Sequence, residues 1–178
     1  MYYPTRHSAM QLPWYQLTTV RIGVLEFSNW LAILRDAPNL VDGIFEVQDD
    51  GDDIDYPAQP IFVPPLNYLQ SLTIVGFSYS ADPAVPMDVL DSLTAPALKS
   101  LDLQFPQNRA PMDTSPCLRF ATRSTFQLHT LVLSFIATPT GIIQCLKVVP
   151  SLVLLKIAHL SGLNLNTIFT QLTNDFPP

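Results

Sequence analysis

The sequence predicts an α/β fold in which short parallel strands alternate with helices in a repeating unit. An apolar pattern, L-x-x-L-x-L, recurs along most of the 178 residues. Stretches with helical spacing of apolar residues lie between its copies. The 17 prolines often stand just before a copy, as at Pro38, Pro96 and Pro150. Strands that are each followed by a helix imply crossover connections, and crossovers join parallel strands.

The pattern is clearest in "APALKSLDLQF", which carries Leu98, Leu101 and Leu103. Its leading apolar residue recurs at positions 17, 40, 69, 98, 128 and 152, so the steps are 23, 29, 29, 30 and 24 residues. These steps lie within or just beyond the roughly 20–29 residues of a leucine-rich repeat. The second copy is weaker because Gly43 takes its middle position. We therefore expect an open leucine-rich-repeat solenoid of about six repeats, with a parallel sheet on the concave face and helices on the convex face.

Side chains alternate along a strand, so the last two apolar residues of each copy face the same interior, and the leading one caps that core. We expect one shared core beneath one sheet. Its strand residues are predicted to be Leu72, Ile74, Leu101, Leu103, Leu131, Leu133, Leu155 and Ile157.

Each element has its own signal along the chain. The first strand is predicted in "LPWYQLTTVRI", and "EFSNWLAILRDAPN" follows as a helix that stops at Pro38. The strands of "APNLVDGIFEV" and "VPPLNYLQSLTIVGF" come next, and "MDVLDSLTAPA" predicts a helix before Pro96.

The second half repeats this order. "SPCLRFATRS" predicts a helix with Pro116 near its start, with Leu118 and Ala121 or Thr122 on one side. After the strand of "STFQLHTLVLSF", "TPTGIIQCLKVVP" predicts a helix closed by Pro150. The strand of "VPSLVLLKIAHL" and a helix in "NLNTIFTQLTNDFPP" complete the chain.

The predicted organisation is an N-terminal extension over residues 1–11 and one repeat domain over residues 12–178. The domain contains an acidic loop insertion at about residues 48–60, read from "VQDDGDDIDYP". Counted from Asp50, the positions of an EF-hand calcium loop fall on the wrong residues, including Ile61 in place of the final glutamate. We expect a solvated loop without a specific calcium site.

Composition excludes several classes of function. The net charge is −6, with 9 basic and 15 acidic residues and no basic patch, which argues against nucleic acid and anionic membranes as partners. The N-terminus lacks a signal peptide's apolar stretch, and no run approaches 18 apolar residues. Cys117 and Cys145 match no metal or redox spacing and are expected to be buried free thiols. These features predict an intracellular protein, cytoplasmic or nuclear, without a cofactor.

No catalytic motif emerges. "HLSGL" around Ser161 lacks the glycine that a nucleophile elbow needs two residues before the serine. His129 and His159 fall near neighbouring strands but out of register, so they are not expected to form a metal pair. With six glycines, the chain has no glycine-rich phosphate loop. We therefore expect a protein without catalytic activity. The alternative function, from a different class, is that of an α/β-hydrolase-like enzyme.

The strand residues that alternate with the predicted core face outward, where a mixed polar surface with some aliphatic content is expected. Solenoids use such concave surfaces for binding. The candidate residues are Arg21, Glu46, Ser71, Thr73, Ser100, Asp102, Thr130, Val132 and Lys156.

Over roughly residues 12 to 160 the chain resembles the leucine-rich-repeat region of the F-box proteins of mushroom-forming fungi. The resemblance lies in combinations such as "LTAPALKSL" and "VPSLVLL". It implies a non-catalytic substrate-recognition arm of a ubiquitin-ligase adaptor, with a protein partner of unknown identity. The F-box itself is lacking here, so an adaptor and cullin complex is expected only if an F-box is supplied elsewhere. The alternative is a truncated or degenerate paralogue that acts only as a protein-interaction scaffold.

Overall fold

A computed structural model of the chain describes residues 12–48, 63–77, 89–105 and 111–158. Within these ranges the chain forms one six-stranded parallel sheet and three α-helices, together with short 3-10 turns at Trp14–Gln16 and Val89–Ser92. In chain order the elements are β1 (Thr19–Glu26), α1 (Phe27–Asp36), β2 (Asp42–Gln48), β3 (Ser71–Phe77), β4 (Ser100–Gln104), α2 (Ser115–Ser124), β5 (Thr130–Ser134), α3 (Pro139–Lys147) and β6 (Leu154–Ala158).

The strands follow one another in the sheet in the same order as in the chain. All five neighbouring pairs are parallel. Leu101 of β4 stands opposite Leu72 of β3 and Leu131 of β5. Each copy of the sequence pattern therefore contributes one strand, as predicted. The one irregularity in register is a bulge in β1 between Ile22 and Leu25.

A recurring pair of hydrogen bonds joins each strand to the next at the point where the strands begin. The carbonyl oxygen of Lys99 accepts the backbone N–H of His129 at 2.8 Å and that of Thr130 at 3.0 Å. The same pair recurs at all five junctions of the sheet. The five accepting residues are Thr18, Val41, Gln70, Lys99 and His129. The copies of the sequence pattern are thus copies of one hydrogen-bonded step.

The leading leucine of a copy ends a tight turn before the strand. In the fourth copy, the Leu98 N–H donates to the carbonyl oxygen of Ala95 at 3.2 Å, and Leu40 and Leu69 make the equivalent bond. Leu98 and Leu40 are fully buried. This position therefore closes the end of the core, as the spacing predicted.

The core lies between one face of the sheet and the α-helices. Leu101, Leu103 and Leu133 are at most 3% exposed, and they alternate with half-buried residues along their strands. Phe120 of α2 and Ile142 of α3 are fully buried in the same cluster. Burying one such side chain contributes roughly 1.5–3 kcal/mol to folding, so the shared core is the main source of stability.

The weak second copy has a packing explanation. A Cβ atom at Gly43 would lie 2.7 Å from Cε2 of Phe45 and 3.3 Å from Cδ2 of Leu40. The Phe45 ring, which meets Trp30 of α1 edge-on at a centroid distance of 6.0 Å, occupies the space that a middle leucine fills in other copies. The glycine and the phenylalanine are thus a matched pair.

The three α-helices begin and end close to their predicted limits. Pro139 opens α3 behind Thr138, whose Oγ1 accepts the Gly141 N–H at 3.1 Å and so caps the helix. At the start of α2, Asp113 Oδ1 accepts the backbone N–H of Ser115 at 2.9 Å and its hydroxyl at 2.8 Å. At the start of each of these two helices, a side-chain oxygen two or three residues earlier in the chain therefore accepts a hydrogen bond from the first turn.

Two expectations for the core and helices need correction. Leu155 is expected to be buried but is 37% exposed: β6 is the last element of the described ranges, and within them no following helix packs over its core side. Ile157 is half-buried against the core. The helix expected in "MDVLDSLTAPA" is, where described, a four-residue 3-10 turn at Val89–Ser92.

Several predictions concern residues outside the described ranges. These are the extension at residues 1–11, nearly all of the acidic loop, Ser161, His159 and the helix expected in "NLNTIFTQLTNDFPP". The absence of a specific calcium site in the acidic loop stays a prediction.

Candidate binding face

The side of the sheet opposite the α-helices, which we call the outer face, carries three rows of side chains across the strands. The first row is Thr19, Asp42, Ser71, Ser100, Thr130 and Leu154. The second row is Arg21, Ile44, Thr73, Asp102, Val132 and Lys156. The third row is Glu46, Val75, Gln104, Ser134 and Ala158. Alternation along each strand places these residues together, because their neighbours in sequence face the core.

The structure places all nine candidate residues on the outer face. Arg21, Thr73, Asp102, Val132 and Lys156 belong to the second row, and Glu46 to the third. The members in the first row are Ser71, Ser100 and Thr130. Arg21 and Lys156, on the two edge strands, are exposed, whereas the other seven are half-buried.

The strand register shows which aliphatic residues lie next to the candidate residues on the outer face. Ile44 lies beside Thr73, and Val75 lies between Glu46 and Gln104. These aliphatic side chains stand within rows of hydroxyl and carboxyl groups. The outer face therefore offers apolar contact area together with donors and acceptors, a mixture found in protein interfaces.

Asp102 is the central charged group of the outer face. Its Oδ2 accepts Nε2 of Gln104 at 3.0 Å, while its Oδ1 is buried and meets no hydrogen-bond donor among the described residues. Its neighbours across the strands are Thr73 and Val132. A buried acceptor without a donor costs stability, about 1–3 kcal/mol for a neutral group and more for a charged one. A partner that brings a donor to this point would recover part of that cost.

Within the three rows of the outer face, charge changes sign from the edge strands to the middle. Arg21 and Lys156 stand on β1 and β6, and the carboxylates of Asp42, Glu46 and Asp102 lie on β2 and β4 between them. Because these charges are separated across the strands, a partner with the opposite arrangement would be oriented by them.

Two thiols on neighbouring helices lie close together in the core. Cys117 of α2 and Cys145 of α3 are free; Cys145 is buried, as expected, whereas Cys117 is half-buried. Both line a small apolar cavity beside Phe120 and Leu131. Cys117 hydrogen-bonds Cys145, which lowers the pKa of Cys145 against the effect of burial, and Thr114 hydrogen-bonds Cys145 as well. That same bond, followed by burial, raises the pKa of Cys117 well above its ordinary value. The separation of the two cysteines by 28 residues, about one repeat, is the signal in the sequence that could have placed them on neighbouring helices.

No protein-family model, curated protein or solved structure matches the chain. Within the described ranges, no three or more His, Cys, Asp or Glu side chains come close enough to hold a metal ion. No helix among the described residues is long and apolar enough to cross a membrane.

Proposed function

We propose that the chain is a leucine-rich-repeat domain that binds a protein partner through the outer face without catalysing a reaction. The observation that carries this proposal is the sheet itself: six parallel strands in chain order, joined at every junction by the same pair of hydrogen bonds. Repetition of one unit is what defines a solenoid, and solenoids present an extended sheet face to their partners.

The chemistry of the outer face supports binding rather than catalysis. Its three rows, in the described part of the sheet, hold hydroxyl, carboxyl, amide, ammonium, guanidinium and aliphatic groups but no histidine or cysteine. A hydroxyl nucleophile ordinarily requires an adjacent base to activate it, most often a histidine. Mixed polar and apolar rows suit a broad contact area.

The identity of the assembly rests on the sequence resemblance. We infer that the domain is the recognition arm of an F-box-like ubiquitin-ligase adaptor, with the adaptor and cullin engaged only if an F-box is supplied by another segment or chain. In the alternative, the chain is a scaffold that binds its partner through the same outer face but makes no contact with a ligase.

A charge placed in the middle of the outer face tests the binding proposal. Proteins captured from a native extract by the wild-type chain are compared with those captured by Val132→Arg and by Gln144→Arg. Val132 is half-buried in the second row, whereas Gln144 is exposed on α3. A partner retained by Gln144→Arg and lost with Val132→Arg supports the outer face. A partner that is captured equally by all three chains contradicts it.

A second measurement separates the two assemblies. Purified adaptor subunit of the ligase is added to the chain alone and to the chain fused behind an F-box. Ubiquitination of the captured partner by the fusion supports the recognition-arm proposal. If the fusion binds the adaptor and the partner yet no ubiquitin is transferred, the scaffold alternative is favoured.

A further inference from the structure

A polar groove opens at the edge of the sheet where β3, β4 and β5 begin. It has a volume of about 430 Å³ and is lined by Gln70, Pro96, Ala97, Leu98, Lys99, Thr125, Gln127 and His129. Gln70, Lys99 and His129 each directly precede a strand, and the other five belong to the turns that enter β4 and β5. The groove therefore lies beside the outer face, outside its three rows.

The groove is cationic in a chain that is acidic overall. Lys99 and His129 occupy equivalent positions of adjacent strands, and the His129 N–H donates to the Lys99 carbonyl at 2.8 Å. None of the eight lining residues is an aspartate or glutamate, although the chain has 15 acidic residues. Lining side chains that can donate hydrogen bonds include one ammonium, one imidazole, two amides and one hydroxyl.

The ammonium group of Lys99 has a weak partner in the described part of the chain. Its Nζ donates to Oε1 of Gln70 at 3.3 Å, a long bond to a neutral acceptor, and the Lys99 side chain is exposed. A carboxylate would offer a shorter, charge-assisted bond and would leave Gln70 free to donate through its amide.

The groove occurs where the repeat is irregular. Three residues before the leading leucine, five copies have an apolar residue, whereas the fifth has Thr125. Thr125 ends α2 with φ 49° and ψ 32°, and its N–H donates to Ala121 O at 2.9 Å. A β-branched residue in this left-handed region is strained. The chain thus enters β5 by a different route from the other strands, and the groove opens beside it.

From this geometry we propose that the groove binds carboxylate side chains of an acidic peptide segment of a partner protein. The anion sits between Lys99, His129 and Gln70. It keeps away from Thr125, where the last carbonyl groups of α2 carry partial negative charge. This site adds to the outer face and does not depend on it, because none of its residues belongs to the three rows.

The test is a nuclear magnetic resonance titration of the full chain with a capped oligo-glutamate peptide. The expected result is saturable shifts of the amide signals of Gln70, Lys99 and His129 that weaken as salt is added. A capped oligo-glutamine peptide of equal length is expected to produce no saturable shift. Lys99→Gln should weaken the oligo-glutamate affinity about tenfold, since a bond to a charged group is lost. Lys147→Gln, at the end of α3, is the matched control and should retain the wild-type affinity.

Three results would overturn the proposal. Oligo-glutamine could shift the same signals to the same extent, Lys99→Gln could bind oligo-glutamate with wild-type affinity, or inorganic phosphate could bind at the groove as tightly as the peptide. The Val132→Arg capture experiment tests the outer face alone, and the oligo-glutamate titration tests the groove alone. Each proposal can therefore fail without the other.

Discussion

At the scale of single residues, Gly43 and Phe45 explain the weak second copy: the Phe45 ring fills the core space that a leucine at position 43 would take. We expect Gly43→Ala to cost roughly 1–3 kcal/mol of unfolding free energy, because the new Cβ would meet the Phe45 ring in a filled core. Phe45→Leu removes the distal part of that ring, so the double variant should lose less than the sum of the single variants. A double-mutant cycle by urea denaturation measures this difference. Additive losses would show that the two positions do not compete for space.

Leu101 tests how much the buried side chains of the strands contribute to stability. It is 3% exposed and lies between Leu72 and Leu131. Leu101→Ala should lower the free energy of unfolding by roughly 2–5 kcal/mol, the usual range for a buried leucine. Val153→Ala is the control, since Val153 is 84% exposed and should change stability little. Equal losses in the two variants would contradict a shared core beneath the sheet.

At the scale of elements, the start of α2 should be sensitive to pH through Asp113. The backbone N–H and the hydroxyl of Ser115 donate to this carboxylate and hold its pKa below the ordinary value. A folded-state pKa that is depressed means stabilisation above the unfolded pKa, which is lost as pH falls through the folded one. The gap in melting temperature between wild type and Asp113→Ala should therefore be present at pH 6 and shrink toward pH 3. A gap that stays constant over this range would rule out the carboxylate as its source.

The contact between α2 and α3 makes a second prediction. Because the hydrogen bond from Cys117 lowers the pKa of Cys145, Cys117→Ala should raise that pKa. The pH dependence of alkylation, followed at Cys145 by mass spectrometry, reports the change. The midpoint should move to higher pH in the variant relative to wild type. A midpoint that does not move would mean that the thiols do not interact.

The elements also show what the sequence can and cannot reveal. Alternation within a copy predicted which face of β3, β4 and β5 is buried, since that property is local to a strand. Leu155 has the same place in its copy as Leu101 and Leu131 yet is 37% exposed, so exposure here depends on what packs over the strand and not on the pattern within the copy.

Within α2, apolar spacing pointed to Leu118 and Ala121 or Thr122; Ala121 is buried, Leu118 is half-buried, Thr122 is exposed, and the fully buried aromatic residue is Phe120. A short helix allows more than one apolar stripe, and the neighbouring elements decide between them. The proximity of Cys117 to Cys145 and the groove around Lys99 were not predicted from the sequence, for a related reason. Both depend on residues about one repeat apart in sequence that only the folded sheet brings together.

At the scale of the whole molecule, the position of β1 at one edge of the described sheet has a consequence in solution. Among the described strands β1 pairs with β2 alone, and Val24 on β1 is 57% exposed. Edge strands present unpaired backbone groups that can pair with another chain. We expect the chain to self-associate through residues 17–24, and Val24→Lys should reduce this through added charge. Fusion to an upstream helical module should do the same.

Light scattering across a range of concentrations measures this association. Val153→Lys, a charge added next to the opposite edge strand, serves as the control and should leave association through β1 unchanged. A monomer at high concentration in the unmodified chain would contradict the prediction.

The matching of chain order to strand order means that the length of this molecule is adjustable in whole units. Excising residues 71–99 would join Gln70 directly to Ser100. The Val41 carbonyl, which now accepts the N–H groups of Gln70 and Ser71, would then accept those of Gln70 and Ser100. Gly43 and Ile44 would come to face Leu101 and Asp102. Gln70 would also take the place of Lys99, so that its carbonyl would accept the N–H groups of His129 and Thr130, while the junction between β5 and β6 would be untouched. Gain or loss of such a unit in a gene would therefore lengthen or shorten the sheet without redesigning it.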